Sequence, residues 1–351
     1  MPSTYAHYRM GQEVRGQVWG LAKEAIEAYP ELYLIGLHGP DILFYYKPLF
    51  GGEINKEGSR MHRRSGEEFF RHAAEVIRGC MHRSEEDSQG GNGSDGGVDK
   101  SPGSESDGEA DKPLGSESDG GVDKPCVNES DGGVDKSCGN ESDGSVDKSH
   151  GNESDGSGNT NRYDLSHLSY AYGFICHFAL DVTCHGYIGK KIEESGISHT
   201  EIESEFDREL LVMDGFDPVR KRLTDHLVPS TENGRVIADF YFDPIRPEDA
   251  AKAVKGMIFY SNIFLSPSHA KRAFVNAALK VSGNYDGLHG MMINYEKNPN
   301  CDDSCKKLLE LYGQARNLAV RLIMEYEAYL DGMQELDKVY QYNFESEIPR
   351  Q

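Results

Sequence analysis

The chain has 351 residues, a formal charge of −22 and 37% hydrophobic residues. That balance discourages polyanionic partners such as nucleic acid, and no apolar run is long enough to span a bilayer. Seven cysteines, an odd number, argue against a complete disulfide framework.

At the start, M-P-S-T-Y-A-H-Y-R-M-G has no apolar stretch after basic residues, so no secretory signal is expected and the location expected is cytoplasmic. Thr4 caps a helix expected to run to about Ala28, with Tyr8, Val14, Val18, Leu21, Ala22 and Ile26 on its apolar side and His7 in its first turn. Pro30 ends that helix, and Glu31 to Leu37 begins another. In L-H-G-P-D-I-L-F-Y-Y, Gly39-Pro40 forces a turn and Asp41 projects from a helix start, either as a cap or as a ligand. His62 lies in S-R-M-H-R-R-S-G, read as a polar link before an amphipathic helix from Glu67 to Ile77. Phe69, Phe70, Ala73, Val76 and Ile77 give that helix its core face, while His72 and His82 lack acidic neighbours at ligand spacing and read as surface.

The composition then changes. A twelve-residue unit containing S-D-G-G-V-D-K recurs from Ser94, Ser118 and Ser130, with variants at Ser106, Ser142 and Ser154. Between Ser84 and Thr160 there are 20 acidic residues and 5 lysines, so most of the chain's negative charge belongs here. The few apolar residues cannot offset the entropy of ordering, and a disordered insertion is expected. Its spacing matches neither a calcium loop nor a glycine-rich nonapeptide repeat. Residues 84–160 are therefore read as the insertion, and residues 1–83 and 161–351 as one discontinuous helical domain.

The segment Tyr170 to Asp207 carries the chemistry. His177, Asp181 and His185 stand four residues apart, which on a helix puts all three on one face. His199 and Glu203 repeat that spacing on the next helix, with Ser198 or His199 near its start. A single buried histidine is more often a hydrogen-bonded core residue than a ligand. Three imidazoles and two carboxylates in register on neighbouring helices are different, because buried carboxylates without a cation are costly. Nitrogen and oxygen donors of this kind form a ligand set for zinc. Phe174, Phe178, Ala179 and Leu180 make the remainder of this helix apolar; Cys176 and Cys184 fit as small buried residues, and Cys301 and Cys305 either pair or stay free.

Beyond Glu203, helical spacing of apolar residues recurs over Phe206 to Leu211, Pro218 to Leu227, Pro247 to Leu265, Pro267 to Val281 and Asp303 to about Val339. Val236 to Tyr241 is the one short strand candidate, and Asp302-Asp303-Ser304 forms a capping cluster for the last helix. The fold class expected is all-α, a multi-helical domain interrupted by the repeat insertion.

With G-P-D-I at residues 39–42, His62, H-F-A-L-D-V-T-C-H from His177 and H-T-E-I-E from His199, the chain resembles the zinc-dependent phospholipase C family, whose fold is related to that of zinc-dependent single-strand nucleases. The likeness covers about residues 4 to 83 and 162 to 210. It implies an all-helical domain with two or three zinc ions in a cleft. Carried over by motif, Asp41, His62, His177 and Asp181 hold one metal, and His185, His199 and Glu203 a second. A third would use His7, Asp181 and the N-terminal backbone. The implied reaction is attack of a zinc-activated water on a phosphodiester, with Asp41 accepting the water's proton as well as ligating. The implied substrate is a phospholipid or other phosphoester, reached through transient membrane-surface contact, with the headgroup left open. Two other readings remain: a nuclease or nucleotidase acting on another phosphoester, and a metal-stabilised binding protein without catalysis.

Overall fold

The longest described helix, α6 (Leu165–Ser195), is the one the others pack around. Its start is fixed by Asp164, whose side chain accepts the backbone N–H of Ser166 and His167, and its end by Gly196 in the left-handed region at φ 70°. From Leu168 to Asp181 every residue is buried, because α6 is covered on several sides rather than along one stripe. A computed structural model describes residues 4–48, 51–89, 162–283 and 285–349. The repeat tract lies outside the described residues, and so does its expected end at residue 160; its expected start at residue 84 falls instead inside a helix that continues to Gln89.

The described chain is mostly helical, and strand pairing among the described residues is limited to an isolated bridge between Ser65 and Asn343. In order come α1 (Thr4–Arg15), α2 (Gly20–Ala28), α3 (Pro30–Gly36), a 3-10 helix (Gly39–Tyr45), α4 (Glu53–Arg63) and α5 (Gly66–Gln89). After α6 follow α7 (His199–Met213), α8 (Thr231–Asp239), α9 (Pro247–Phe264), α10 (His269–Val281), the single turn α11 (Tyr285–Leu288) and α12 (Asp302–Leu330). No described helix is long and apolar enough to cross a membrane. Cys176, Cys184, Cys301 and Cys305 are buried free thiols.

Helices α3 and α12 make the main contacts with α6. The α3 crossing is close because glycines meet there: a Cβ on Gly36 would come within 3.1 Å of Gly173 Cα, and one on Gly173 within 2.9 Å of Gly36 Cα. This close approach carries the turn after α3 onto the middle of α6. On the opposite flank, Phe69 stacks on Phe174 at 4.0 Å and Phe178 on Tyr340 at 5.2 Å, with Phe70 and Phe344 completing a buried aromatic cluster. Burying each ring contributes on the order of 1.5–3 kcal/mol.

Six local expectations are corrected. The first helix is two, broken between Arg15 and Gly20, where Gly16 and a left-handed Gly20 (φ 64°) interrupt it. His62 is on α4 rather than in a link; Asn55 Nδ2 donates to the carbonyls of Leu43, Phe44 and Tyr46, tying that helix to the 3-10 helix. Residues Pro218 to Leu227 form turns, not a helix. The strand candidate Val236 to Tyr241 belongs largely to α8, capped by Ser230. Finally, α12 starts after Cys301 with no side-chain cap, and stops at Leu330 rather than near Val339. His72, expected on the surface, is half-buried with its ring stacked on Phe242 at 4.6 Å.

Candidate metal centre

Five segments deliver the polar side chains. α6 brings His177, Asp181 and His185 on one face, as the four-residue spacing requires. α7, capped by Ser198, which accepts the N–H of Glu201, brings His199 and Glu203. The 3-10 helix brings Asp41, and α4 brings His62. α1 adds His7. The Gly39 of the G-P-D-I turn has φ 45°, and a Cβ there would lie 2.7 Å from His177 Cγ, so only glycine lets this backbone cross the imidazole.

All eight residues expected at the site converge. His62 Nε2 lies 2.9 Å from Asp41 Oδ1, and His177 Nε2 lies 3.8 Å from Asp41 Oδ2 and 3.1 Å from Asp181 Oδ2. His7 Nε2 is 3.3 Å from Asp181 Oδ1, with its ring stacked on His177 at 4.4 Å. His185 Nε2 lies 3.9 Å from Asp181 Oδ1 and 3.4 Å from Glu203 Oε1, and His199 Nε2 is 3.0 Å from that same oxygen. Three compact donor sets result: His7–His177–Asp181, Asp41–His62–His177 and His185–His199–Glu203. His185, His199 and Glu203 group as the family resemblance implies and His7 falls with Asp181 as it also implies, but His177 is shared between two sets and Asp181 is not among the donors grouped with Asp41. Asp181 also reaches toward His185, so it connects the sets. The N-terminal backbone expected as a ligand lies outside the described residues.

Three of the imidazoles are held in one tautomer. The Nδ1–H of His62 donates to Gly58 O at 2.7 Å, that of His177 to Leu37 O at 3.3 Å, and that of His185 to Phe344 O at 2.6 Å. Each bond leaves Nε2 facing the carboxylates, the outer-shell arrangement that orients metal-ligating histidines. The donors are also unsatisfied. Asp41 Oδ2, His177 Nε2, His199 Nε2 and Glu203 Oε2 are buried and make no hydrogen bond, although His177 and His199 have carboxylate oxygens within hydrogen-bonding distance. Each such atom costs on the order of 1–3 kcal/mol in an interior. One cation in the Asp41–His62–His177 set and another in the His185–His199–Glu203 set would satisfy these atoms, and the nitrogen and oxygen donors fit a borderline divalent ion.

The charges are strongly coupled. Burial would raise the Asp181 carboxyl, yet His177 and His185 hold it well below the usual carboxylate range. Asp41 is likewise lowered, with His177 and His62 overcoming its burial, and Glu203 with His199 and His185 overcoming its own. Against burial, Asp181 and Glu203 lift His185 to about 10, and Asp41 raises His62. In the metal-free state this face is a buried lattice of ion pairs, and a metal entering it has to displace protons.

A cavity of about 440 Å³ opens onto Asp41, His62, Asp181, His185 and His199. Its other walls include Phe44, Ser59 and Arg63 and, from a C-terminal turn, Asn343, Glu345 and Glu347. Sequence reasoning missed that turn. Phe344 is fully buried against the His62 and His177 rings, its N–H donates to His62 O at 3.3 Å, and Ser346 Oγ donates to Val182 O at 2.7 Å. No periodicity or ligand spacing marks residues 343–347; only the aromatic Phe344 in an otherwise polar stretch hints at an anchor. Compared with protein-family models, curated proteins and solved structures, the chain matches none.

Proposed function

We propose that the chain is a zinc-dependent phosphodiester hydrolase of the phospholipase C type, with a fold of the phospholipase C and zinc nuclease kind. One observation carries the reading: three histidine–carboxylate sets, two of them sharing His177 and four of their buried donor atoms unsatisfied, lie beside an open cavity. A site meant only to brace the fold would need no such opening, and a lone structural ion needs four ligands rather than eight.

Zinc bound there supplies a water acidic enough to ionise near neutral pH and positive charge for the phosphoryl oxygens. The chain's own residues do the rest. Asp41, on the cavity wall and held below the usual carboxylate range, is ionised at neutral pH and accepts a proton as the nucleophile forms. Arg63 on the cavity wall offers a planar donor fork that matches a phosphoryl group. Phe44 gives an apolar surface to one flank of the substrate. The substrate class is a phospholipid or another small phosphoester met at a membrane surface, rather than nucleic acid.

Metal analysis of protein purified without chelator is expected to find at least two zinc ions per chain, and a value below one defeats the metal reading. Turnover is then measured on phosphatidylcholine, phosphatidylethanolamine, single-stranded DNA and a chromogenic phosphodiester, with and without added zinc. Cleavage of a phospholipid supports the proposal, and cleavage of DNA alone moves the reading to a nuclease. Zinc bound without turnover of any of them leaves a binding protein. Asp41→Asn is expected to abolish turnover while most metal stays bound.

A further inference from the structure

His7 differs from the other imidazoles on the α6 face. The Nδ1–H groups of His62, His177 and His185 are each pinned by a backbone carbonyl, but His7 Nδ1 is buried and makes no hydrogen bond. Its orientation is therefore set by its Nε2 contact with Asp181, by its ring stacking on His177 and by the backbone that carries it. That backbone is held by one buried carboxylate. Asp207 Oδ2 accepts the N–H of Tyr5 at 2.9 Å, and Asp207 Oδ1 accepts the N–H of Ala6 at 2.8 Å. Both N–H groups belong to the first turn of α1, which has no intrahelical partner for them. A carboxylate at a helix N-terminus also complements the helix dipole.

We infer that Asp207 is the positioning residue for His7, and so for the His7–His177–Asp181 set; this rests on the metal reading given above. Asp207 stands one helical step of four beyond Glu203 and two beyond His199 on α7. The helix that carries His199 and Glu203 thus also clamps the residue immediately before His7. Moving α7 moves both sets together. A second link between α1 and α7 serves as the internal control: Asp214 accepts from Tyr5 Oη and Arg9 Nε, each at 2.7 Å, and it fixes side chains rather than the backbone entering His7.

The test uses the full chain, with zinc alone as probe in competition with a chromogenic chelator. Asp207→Asn keeps the shape but turns an amide NH2, a donor, toward one of the two backbone N–H groups. It is expected to weaken the affinity of one zinc equivalent by about 10–100-fold, the usual cost of losing an outer-shell partner. Asp214→Asn is expected to lower the melting temperature without changing zinc affinity. In a His7→Ala background, Asp207→Asn is expected to cause no further loss of zinc. Without metal, the His7 and His177 ring resonances should shift in Asp207→Asn while those of His185 and His199 stay. If Asp207→Asn does not fold, Asp207→Ser, which keeps a shorter acceptor, is read in the same way. Wild-type zinc affinity in the Asp207 variant, unmoved His7 resonances, or additivity with His7→Ala overturns the inference. A wild-type chain that binds no zinc overturns the metal reading instead, and the ring resonances still decide what Asp207 does.

Discussion

Two buried groups of histidines sit side by side in this molecule and behave in opposite ways. His38, three residues before Asp41, is fully buried, and its Nε2 is hydrogen-bonded to His226 Nε2 at 2.8 Å, one ring donating and the other accepting, while the His226 ring stacks on Tyr8 at 4.2 Å. Neither ring has a carboxylate as hydrogen-bond or ion-pair partner. Burial then acts unopposed, pushing His38 well below its ordinary value and His226 down to about 4. Across the turn, His62 and His185 are as buried as His226 or more so, yet both are raised because Asp41, Asp181 and Glu203 face them. Burial alone therefore says little about a histidine's task. A carboxylate in front of Nε2 and a carbonyl behind Nδ1 say much more.

The contrast breaks most sharply at Asp181, which connects the donor sets. Asp181→Ala is expected to remove bound metal and to lower phosphodiester turnover by more than the roughly 100-fold that loss of an outer-shell partner costs; metal analysis and initial rates check this. Phe344→Ala tests the carbonyl side of the same cluster. Removing a fully buried ring costs about 3–5 kcal/mol of stability, and looser packing of the turn should release His185, which chelator competition would detect. His226→Ala tests the other pair. It leaves His38 Nε2 buried without a partner, costing about 1–3 kcal/mol, while zinc content and turnover are expected to stay unchanged.

A smaller effect separates the two groups by pH. In metal-free protein His185 titrates at about 10, above the unfolded value of about 6.5. Its contribution to stability is full below pH 6.5 and is lost as pH rises toward 10. The lowered His38 and His226 work in the other direction: the unfolded imidazoles take up protons first, so stability falls as pH drops from about 6.5 toward 4. Thermal melts across pH should show both slopes. Asp181→Ala should flatten the alkaline one and His226→Ala the acid one. Zinc should remove the alkaline slope in the wild type and bind more tightly as pH rises through the same range.

What the sequence made legible follows from what is periodic. His177, Asp181 and His185 repeat every four residues, as do His199 and Glu203, and a helix turns that spacing directly into a shared face. Asp41 was marked by the Gly-Pro before it. Asp207 was also in register with Glu203, but an acidic residue at that spacing does not announce that it will accept two amides of a distant helix. The Phe344 carbonyl was illegible, because every residue has one and only tertiary folding selects its partner. Val236 to Tyr241 misled because its apolar residues fit both periods over so short a run; Ser230 and the packing of α8 on α9 decided for helix. Pro218 to Leu227 had the right spacing without the contacts that would have held it as a helix.

The last feature of consequence is the distance along the chain between His185 and the carbonyl that orients it. By the time a ribosome has finished α7, every one of the eight side chains of the histidine–carboxylate cluster has been synthesised. The clasp behind His185 arrives only with residue 344. A nascent polypeptide thus passes through a long interval with all the donors and no finished cage. A message cut short before that codon yields a protein in which His185 lacks the carbonyl that orients it, while His62 and His177 keep theirs from Gly58 and Leu37.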